Sequence, residues 1–187
     1  MSAQPTMPHN FALLVIDMQR GLCEGPGAAF DIKPLTQRIN QLAKKARDVK
    51  APVLWVHHEE AEGALQHGSA GWQLAQGLEA GPRDILVRKT TPDSFLRTGL
   101  ERLLKTHDVD ALVICGLQTE YCVDTTTRRA LALGLPVVLV SDGHSTNDKA
   151  HLPAAQIIAH HNVTLASISS FGPRAQLVAA ADVDFGA

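Results

Sequence analysis

Three residues with chemically active side chains stand at or just beyond the ends of apolar runs of strand length. Asp17 closes the run F-A-L-L-V-I-D, Lys89 follows I-L-V-R, and Cys122 lies just beyond A-L-V-I-C-G-L-Q-T-E-Y-C. In an open parallel sheet, ligands bind outside the carboxyl ends of the strands, near the point where the strand order reverses. We therefore expect the carboxylate, the ammonium group and the thiol to face the same edge of a sheet.

Cys122 is the strongest candidate for covalent chemistry. Thr119 can cap a helix that begins near Glu120, which places the thiol in the first helical turn. The helix dipole there favours the thiolate, which is the nucleophilic form of cysteine. Taken separately, Asp17 and Lys89 have ordinary interpretations, because an aspartate after a strand usually belongs to a turn and a lysine there is usually solvated.

The other two cysteines give no sign of catalysis. Cys115 lies inside an apolar run and is typical of a small core residue, while Cys23 lies in a Gly-rich stretch with no base nearby in the sequence. The three cysteines lack the close C-x-x-C pairing that would indicate zinc or a redox dithiol. Because their number is odd, at least one thiol is free in a monomer.

Apolar runs recur along the whole chain and are continuous rather than alternating. This pattern is typical of strands that helices cover on both faces. The predicted strands are residues 11–16, 52–56, 85–87, 111–115, 135–140 and 163–168. Apolar residues at helical spacing predict helices between them, within residues 35–49 after Pro34, 96–104, 122–133 before Gly134, and 153–161.

Alternating strands and helices predict an α/β fold, a three-layer α/β/α sandwich with a six-stranded, mostly parallel Rossmann-like sheet. We expect one domain over residues 1–187, with a flexible N-terminus at residues 1–9. Residues 59–84 are too long for a simple connection and contain Trp72. Loops of that length are commonly lids or binding loops, so we interpret this one as a substrate rim or a subunit contact.

The composition excludes several classes of function. Of the 187 residues, 45% are hydrophobic and 19% charged, the formal net charge is -2, and neither end carries a block of like charge. Binding to nucleic acid or to a membrane surface is therefore not favoured. The polar first ten residues do not resemble a signal peptide and no apolar run reaches membrane-spanning length, so we expect a cytoplasmic protein.

Three segments resemble motifs of the isochorismatase-like cysteine hydrolase family. The stretch G-L-Q-T-E-Y-C-V-D-T-T-T-R-R-A, residues 116–130, is similar to the nucleophile signature of that family. L-V-I-D-M-Q around Asp17 resembles its first-strand motif, and R-K-T-T-P-D-S-F around Lys89 and Phe95 resembles its lysine motif. Order, spacing and strand positions agree across nearly the whole chain, and three motifs in register are far more specific than one.

The resemblance implies a sheet order of 3-2-1-4-5-6 and a cis peptide bond between Leu117 and Gln118. It also implies that Asp17 takes the proton of Cys122, that Lys89 stabilises the charges, and that the thiolate attacks a substrate carbonyl. The backbone N–H groups of Gln118 and Cys122 would form the oxyanion hole. The expected reaction hydrolyses a small amide, imide, or carbamoyl or ureido compound through a thioester, without a cofactor, in a homo-oligomer.

Four further residues are candidates for substrate binding. Phe95, Trp55 and Tyr121 could line a pocket, although large aromatic side chains in a domain of this size are more often core, and only Phe95 lies in a family motif. Gln19 is a candidate whose simpler role is to orient the Asp17 loop. Three other polar residues have ordinary interpretations. Thr119 is expected to be a helix cap and His144 an exposed side chain, and Asp142 is expected either to cap a helix or to hydrogen-bond a loop.

The sequence predicts no metal site. Nicotinamidases of the family hold a divalent ion through an aspartate and two or more histidines, but the D-x-H element is absent here. His57 and His58 point to opposite sides of an extended strand, and His67 and Glu59 lie close by in sequence. The ordinary interpretation is that these histidines are solvated or hydrogen-bonded, which argues against a nicotinamidase.

Two other functions stay open from sequence. One is isochorismatase activity proper, the acid-catalysed hydrolysis of a vinyl ether, for which the cysteine is dispensable; Cys122 favours amide or imide hydrolysis instead. The other is a non-catalytic oligomer that binds a small metabolite. The sequence does not identify the substrate.

Overall fold

The computed structural model describes residues 10–186, so the prediction of a flexible segment at residues 1–9 falls outside the described residues. Six strands form a single sheet in the order β3-β2-β1-β4-β5-β6, and every neighbouring pair is parallel. The predicted α/β class and strand order are confirmed. The strands are β1 (Phe11–Ile16), β2 (Val53–His58), β3 (Ile85–Lys89), β4 (Ala111–Leu117), β5 (Val137–Ser145) and β6 (Ala175–Val178).

The central position of β1 decides where the candidate residues meet. In the sheet register Ile16 lies opposite Val56 of β2 and Gly116 of β4. The residues that follow these three positions therefore leave the sheet at the same edge. This edge, at the carboxyl ends of β1, β2 and β4, is where the strand order reverses and where a ligand site is expected.

Helices cover both faces of the sheet. On β1 the side chains of Leu13 and Val15 pack toward α2, while Leu14 and Ile16 belong to a second apolar cluster with residues of α3, α4 and α5. Two covered faces explain why the strands read as continuous apolar runs. The helices are α1 (Arg20–Cys23), α2 (Ile32–Asp48), α3 (Leu100–Thr106), α4 (Asp124–Ala132) and α5 (Ala154–Ser167), with a π-helical turn at Thr119–Val123 and a 3₁₀ turn at Ala180–Asp182.

The sixth strand was predicted at the wrong place. Residues 163–167 belong to α5, and β6 is the short edge strand Ala175–Val178. In a short apolar run, periodicity alone does not distinguish a strand from a buried helical segment. Here Leu165 is fully buried while Val163 is 70% exposed, which fits one helix face packed on the sheet.

Residues 59–84 contain no helix or regular strand and cover the carboxyl edge of the sheet. Leu74 bridges Gln19 in antiparallel fashion, and the Gly21 N–H donates to the carbonyl oxygen of Gly71 at 2.8 Å. Trp72, which belongs to this segment, is buried. The segment therefore packs over the edge at which Asp17 leaves β1. Among residues 10–186, no helix combines the length and the apolar character needed to cross a membrane.

Candidate active site

The end of β1 turns sharply at Asp17, which is buried and has a positive φ of 52°. Its N–H donates to the carbonyl oxygen of Val56 at 2.8 Å. This left-handed conformation is uncommon for residues other than glycine, and aspartate tolerates it better than most. The turn directs the carboxylate out of the strand and toward the space beyond β4.

Gly116 allows β4 to lie close to β1 at that point. Its φ is 114°, and a Cβ there would overlap the carbonyl oxygen of Ile16. After it, the Leu117–Gln118 peptide bond is cis and the chain enters the π-helical turn that carries Cys122. The thiol is therefore brought to the edge at which Asp17 emerges.

Lys89 joins the two groups. It is the last residue of β3 and its side chain is completely buried. Its Nζ donates to Asp17 Oδ2 at 2.7 Å and to Cys122 Sγ at 3.2 Å. The structure thus brings together, in one buried cluster, the three residues that the sequence predicts to be catalytic.

The surroundings of the thiol do not favour the thiolate in the resting protein. Burial, followed by the charge of Asp17, raises the pKa of Cys122 to about 12, against the opposing effect of Lys89. The raised pKa contradicts the expected thiolate at a helix start, because burial disfavours the charged form and the Asp17 carboxylate faces the thiol. Asp17 Oδ1 is buried without a hydrogen-bond partner among the described residues, so one carboxylate oxygen is available for the thiol proton.

Thr119 and His144 have roles that the sequence interpretation missed. Thr119 makes no helix cap; its Oγ1 hydrogen-bonds His144 Nδ1 at 2.9 Å, and His144 Nε2 lies 2.9 Å from Asn162 Oδ1. His144 is buried rather than exposed, and burial lowers its pKa to about 4. A neutral imidazole therefore ties the π-helical turn to α5. Asp142 holds a loop as expected, since its Oδ1 accepts from the Ala180 N–H at 2.8 Å.

His57 and His58 point to opposite sides of β2, as predicted. His58 Nδ1 lies 3.2 Å from Lys89 Nζ, whereas the His57 ring packs edge-on against Trp72 with ring centroids 5.0 Å apart. The His67 ring also packs edge-on against Trp72, with ring centroids 4.7 Å apart. His57 is neither solvated nor hydrogen-bonded: both ring nitrogens are buried without a partner in the described chain, and burial lowers its pKa to about 4.

A metal ion could in principle be held by Asp17, His58 and Cys122, whose ligand atoms lie within 4.8 Å of one another. The Lys89 ammonium, however, already donates to Asp17 Oδ2 and Cys122 Sγ and contacts His58 Nδ1. A metal ion would have to displace this buried cation from its three partners. His57 and His67 do not join the group, and the absence of a metal stays a prediction.

A cavity of about 210 Å³ opens at Cys122. Its walls come from the carboxyl edge of the sheet and from the 59–84 segment. The lining residues are Asp17, Leu22, His58, Glu60, Leu65, Pro92, Gln118, Tyr121 and Cys122. A second space of about 580 Å³ shares His58 and Glu60 with it and continues along the same segment. The 59–84 segment therefore contributes to the rim, as the sequence interpretation anticipated.

Of the four predicted substrate-binding residues, only Tyr121 lines the cavity at Cys122. Tyr121 lines the cavity and is half exposed, but Trp55 does not, because strand alternation turns it toward α2, where its Nε1 donates to Asp84 Oδ2 at 2.7 Å. Phe95 is buried in the apolar cluster that also contains Cys122 and does not line the cavity. Gln19 is completely buried and does not line the cavity.

The cavity residues Leu22, Glu60, Leu65 and Pro92 were not predicted individually, although Glu60 and Leu65 belong to the 59–84 segment that was interpreted as a substrate rim or a subunit contact. Of these, Pro92 lies in the R-K-T-T-P segment beside Lys89. Its position in that motif could have identified it as a residue near the site. The other three lie outside every motif. Gln118 and Cys122 both line the cavity, and their role as oxyanion donors stays a prediction.

Comparisons with known proteins agree on one family. The model of the isochorismatase domain matches residues 11–168. Two streptothricin hydrolases of Streptomyces noursei are 40% and 38% identical over 79% and 77% of this chain, which spans only 53% and 56% of their lengths. The crystal structure of an isochorismatase family protein superposes with a TM-score of 0.83 at 38% identity and covers 92% of this chain and 100% of its own.

Proposed function

This chain belongs to the isochorismatase family, and we propose that it is a cysteine-dependent hydrolase of a small amide, imide, or carbamoyl or ureido compound. The observation that carries the proposal is the buried cluster in which Lys89 Nζ contacts both Asp17 Oδ2, at 2.7 Å, and Cys122 Sγ, at 3.2 Å. A nucleophile, a base and a cation within hydrogen-bond reach are the components of covalent acyl transfer.

The first half of the proposed reaction acylates Cys122. The free Oδ1 of Asp17 takes the thiol proton as Sγ bonds to the carbonyl carbon, and the carbonyl electron pair moves onto oxygen. The backbone N–H groups of Gln118 and Cys122 would bind that oxyanion. When the tetrahedral intermediate collapses, the C–N bond breaks, the nitrogen takes the proton from Asp17, and a thioester remains.

The second half regenerates the thiol. Asp17 takes a proton from water, the water oxygen attacks the thioester carbonyl, and the C–S bond breaks to release an acid. The departing sulfur then recovers the proton from Asp17. Throughout, the Lys89 cation offsets the negative charge that is shared between the carboxylate and the sulfur. The raised pKa of Cys122 fits this scheme, because the thiol keeps its proton at rest and gives it to Asp17 only as Sγ attacks a bound substrate.

The charges of the cavity bear on the class of substrate. Glu60 is exposed, lines both spaces, and makes no side-chain hydrogen bond or ion pair within the described residues, whereas Glu59 is paired with Arg88 at 2.8 Å. No lysine or arginine is found among the lining residues of either space in the described chain. This balance favours a neutral or cationic amide over isochorismate, which carries two carboxylates.

The relatives support hydrolysis in general terms. The two streptothricin hydrolases are about twice as long as the part that matches, so their substrate is not transferred to this chain by similarity alone. Streptothricin belongs in the substrate panel for that reason. One domain over residues 1–187, a homo-oligomer and a cytoplasmic location stay predictions from the sequence.

The test is a release assay combined with intact-mass measurement. Wild-type protein and Cys122→Ala are incubated with a panel of small amides, imides, carbamoyl compounds, streptothricin and isochorismate. Cys115→Ala is the matched control, because that thiol is buried inside β4, where its Sγ lies 3.7 Å from the carbonyl oxygen of Leu14. We expect release of ammonia or amine, and an acyl adduct, from wild type and the control but not from Cys122→Ala.

Two outcomes contradict the proposal. Turnover of isochorismate alone, unchanged in Cys122→Ala, would leave Asp17 as an acid for vinyl ether hydrolysis. Binding of a panel compound by wild type without any turnover would indicate a non-catalytic metabolite-binding protein.

A further inference from the structure

We propose that His58 is a positioning residue for Lys89, whose third N–H it accepts so that the cation stays between Asp17 and Cys122. The kinetic part of this inference rests on the proposed function, whereas its structural part does not. The sequence interpretation treated His58 as a solvated or hydrogen-bonded histidine. Its contacts in the structure assign it a defined partner.

An ammonium group has three N–H donors and no acceptor. Lys89 Nζ has three neighbours at hydrogen-bond distance: Asp17 Oδ2 at 2.7 Å, Cys122 Sγ at 3.2 Å and His58 Nδ1 at 3.2 Å. Each N–H thus has one acceptor. Removal of His58 would leave a buried donor unsatisfied and would allow the side chain to rotate away from the thiol.

This contact determines the tautomer of His58. Because Nδ1 faces an ammonium group, it has to be the unprotonated nitrogen, and the ring proton sits on Nε2. The hydrogen bond to the backbone of Thr91 raises the pKa of the ring, as expected when a carbonyl accepts the ring N–H. The imidazole therefore bridges Lys89 and the chain that follows β3.

The backbone of His58 is also held in place. Gln19 Oε1 accepts from the His58 N–H at 2.8 Å, and Gln19 Nε2 donates to the His58 carbonyl oxygen at 2.9 Å. The same Nε2 donates to the carbonyl oxygen of Trp72 at 3.1 Å. Gln19 is completely buried. The end of β2 is thereby clamped to the turn after β1, which fixes where the imidazole lies.

Burial and the Lys89 cation favour the neutral form of His58. Burial, followed by the charge of Lys89, lowers its pKa, while Asp17, Glu60 and the Thr91 backbone act in the opposite direction. Since the folded pKa lies below the ordinary value of 6.5, the acceptor is present at neutral pH and is lost as the pH falls through the folded pKa. An imidazolium would then face the ammonium of Lys89.

The structural test needs no substrate. Long-range ¹H–¹⁵N spectra of the ¹⁵N-labelled protein report the tautomer and titration of each histidine, and His58→Gln identifies the resonances of His58. We expect a proton on Nε2 and a titration midpoint below 6.5. In Lys89→Met the midpoint should rise. A proton on Nδ1, or a midpoint that Lys89→Met leaves unchanged, would overturn the proposal whether or not the protein is a hydrolase.

The kinetic test compares two variants of similar size. His58→Asn keeps an acceptor near the place of Nδ1, and His58→Leu does not. We expect kcat/KM at pH 7.5 to fall by about tenfold or more in His58→Leu, and by less in His58→Asn, from the loss of one buried charged hydrogen bond. In His58→Asn the acid limb of the pH profile should move to lower pH.

A merely structural role gives a different result. Equal losses in His58→Asn and His58→Leu, with an acid limb that stays where it is in wild type, would contradict the positioning role. Thermal unfolding of both variants shows whether either fails to fold, and in that case the spectra of the wild-type protein decide. If Cys122→Ala releases product as fast as wild type, the proposed function is wrong. That result does not affect the inferred hydrogen bond between His58 and Lys89.

Discussion

Cys115 and Cys122 lie on either side of the carboxyl end of β4, and their surroundings differ. Cys115 is completely buried inside the strand, where its Sγ lies 3.7 Å from the carbonyl oxygen of Leu14. Cys122 lies beyond the strand, beside Asp17 and the Nζ of Lys89. Burial raises the pKa of both thiols above the usual range.

The comparison shows that thiol acidity in the resting protein does not distinguish the two cysteines. What distinguishes them is a carboxylate oxygen without a partner and a buried cation, both of which only Cys122 has among the described residues. A proton can therefore move from Cys122 to Asp17, whereas Cys115 has only a backbone carbonyl nearby.

Removing the base should have the largest effect. Asp17→Asn keeps the size of the side chain but cannot take the thiol proton, so we expect kcat/KM for the amide substrate to fall by about 10²- to 10⁴-fold. Cys115→Ala, the matched change inside the strand, should stay within about threefold of wild type by the same steady-state assay. Similar losses in the two variants would remove the distinction between the thiols.

Removing the cation should destabilise the fold at this site. Lys89→Met leaves the Asp17 carboxylate buried without a partner, and we expect the free energy of unfolding to fall by about 3 to 5 kcal/mol in urea titrations. Lys105→Met removes an exposed helical pair with Glu101 that water screens, so the free energy of unfolding should change little. Equal small losses would mean that the Asp17 to Lys89 pair is not buried as described.

The effect of Asp17 on alkylation separates the two thiols, because the charge of Asp17 acts on Cys122 and burial alone acts on Cys115. Since the pKa of Cys122 is raised to about 12, iodoacetamide should label it slowly at pH 7 and faster as the pH rises. Asp17→Asn removes a charge that raises this pKa, so labelling at pH 8 should accelerate about tenfold for each unit that the pKa falls. Peptide mass spectrometry follows both sites, and labelling of Cys115 before Cys122 in the folded protein would contradict the comparison.

The smallest effect concerns the substrate rather than the thiol. If the substrate is cationic, Glu60→Gln should raise KM by about two- to fivefold with little change in kcat, because the exposed carboxylate contributes about 1 kcal/mol or less. Glu62→Gln, a nearby exposed change outside the cavity lining, is the control. A lower KM in Glu60→Gln would indicate an anionic substrate.

The sequence by itself determined most of the architecture. Continuous apolar runs at regular intervals predicted a parallel sheet covered on both faces, and motif resemblance predicted its order, which the structure confirms. Asp17, Lys89 and Cys122 were identified because strand ends are recognisable in the chain and parallel strands carry their ends to one edge. Their catalytic roles remain predictions.

Only the tertiary structure decided the details that depend on packing. Strand alternation placed His57 and His58 on opposite faces, but only the packed sheet shows that His58 faces Lys89 and that Trp55 faces α2. The position of β6 depends on which short apolar run pairs with β5. The protonation of Cys122 depends on distances among residues far apart in the chain, because burial and neighbouring charges act through space rather than along the sequence.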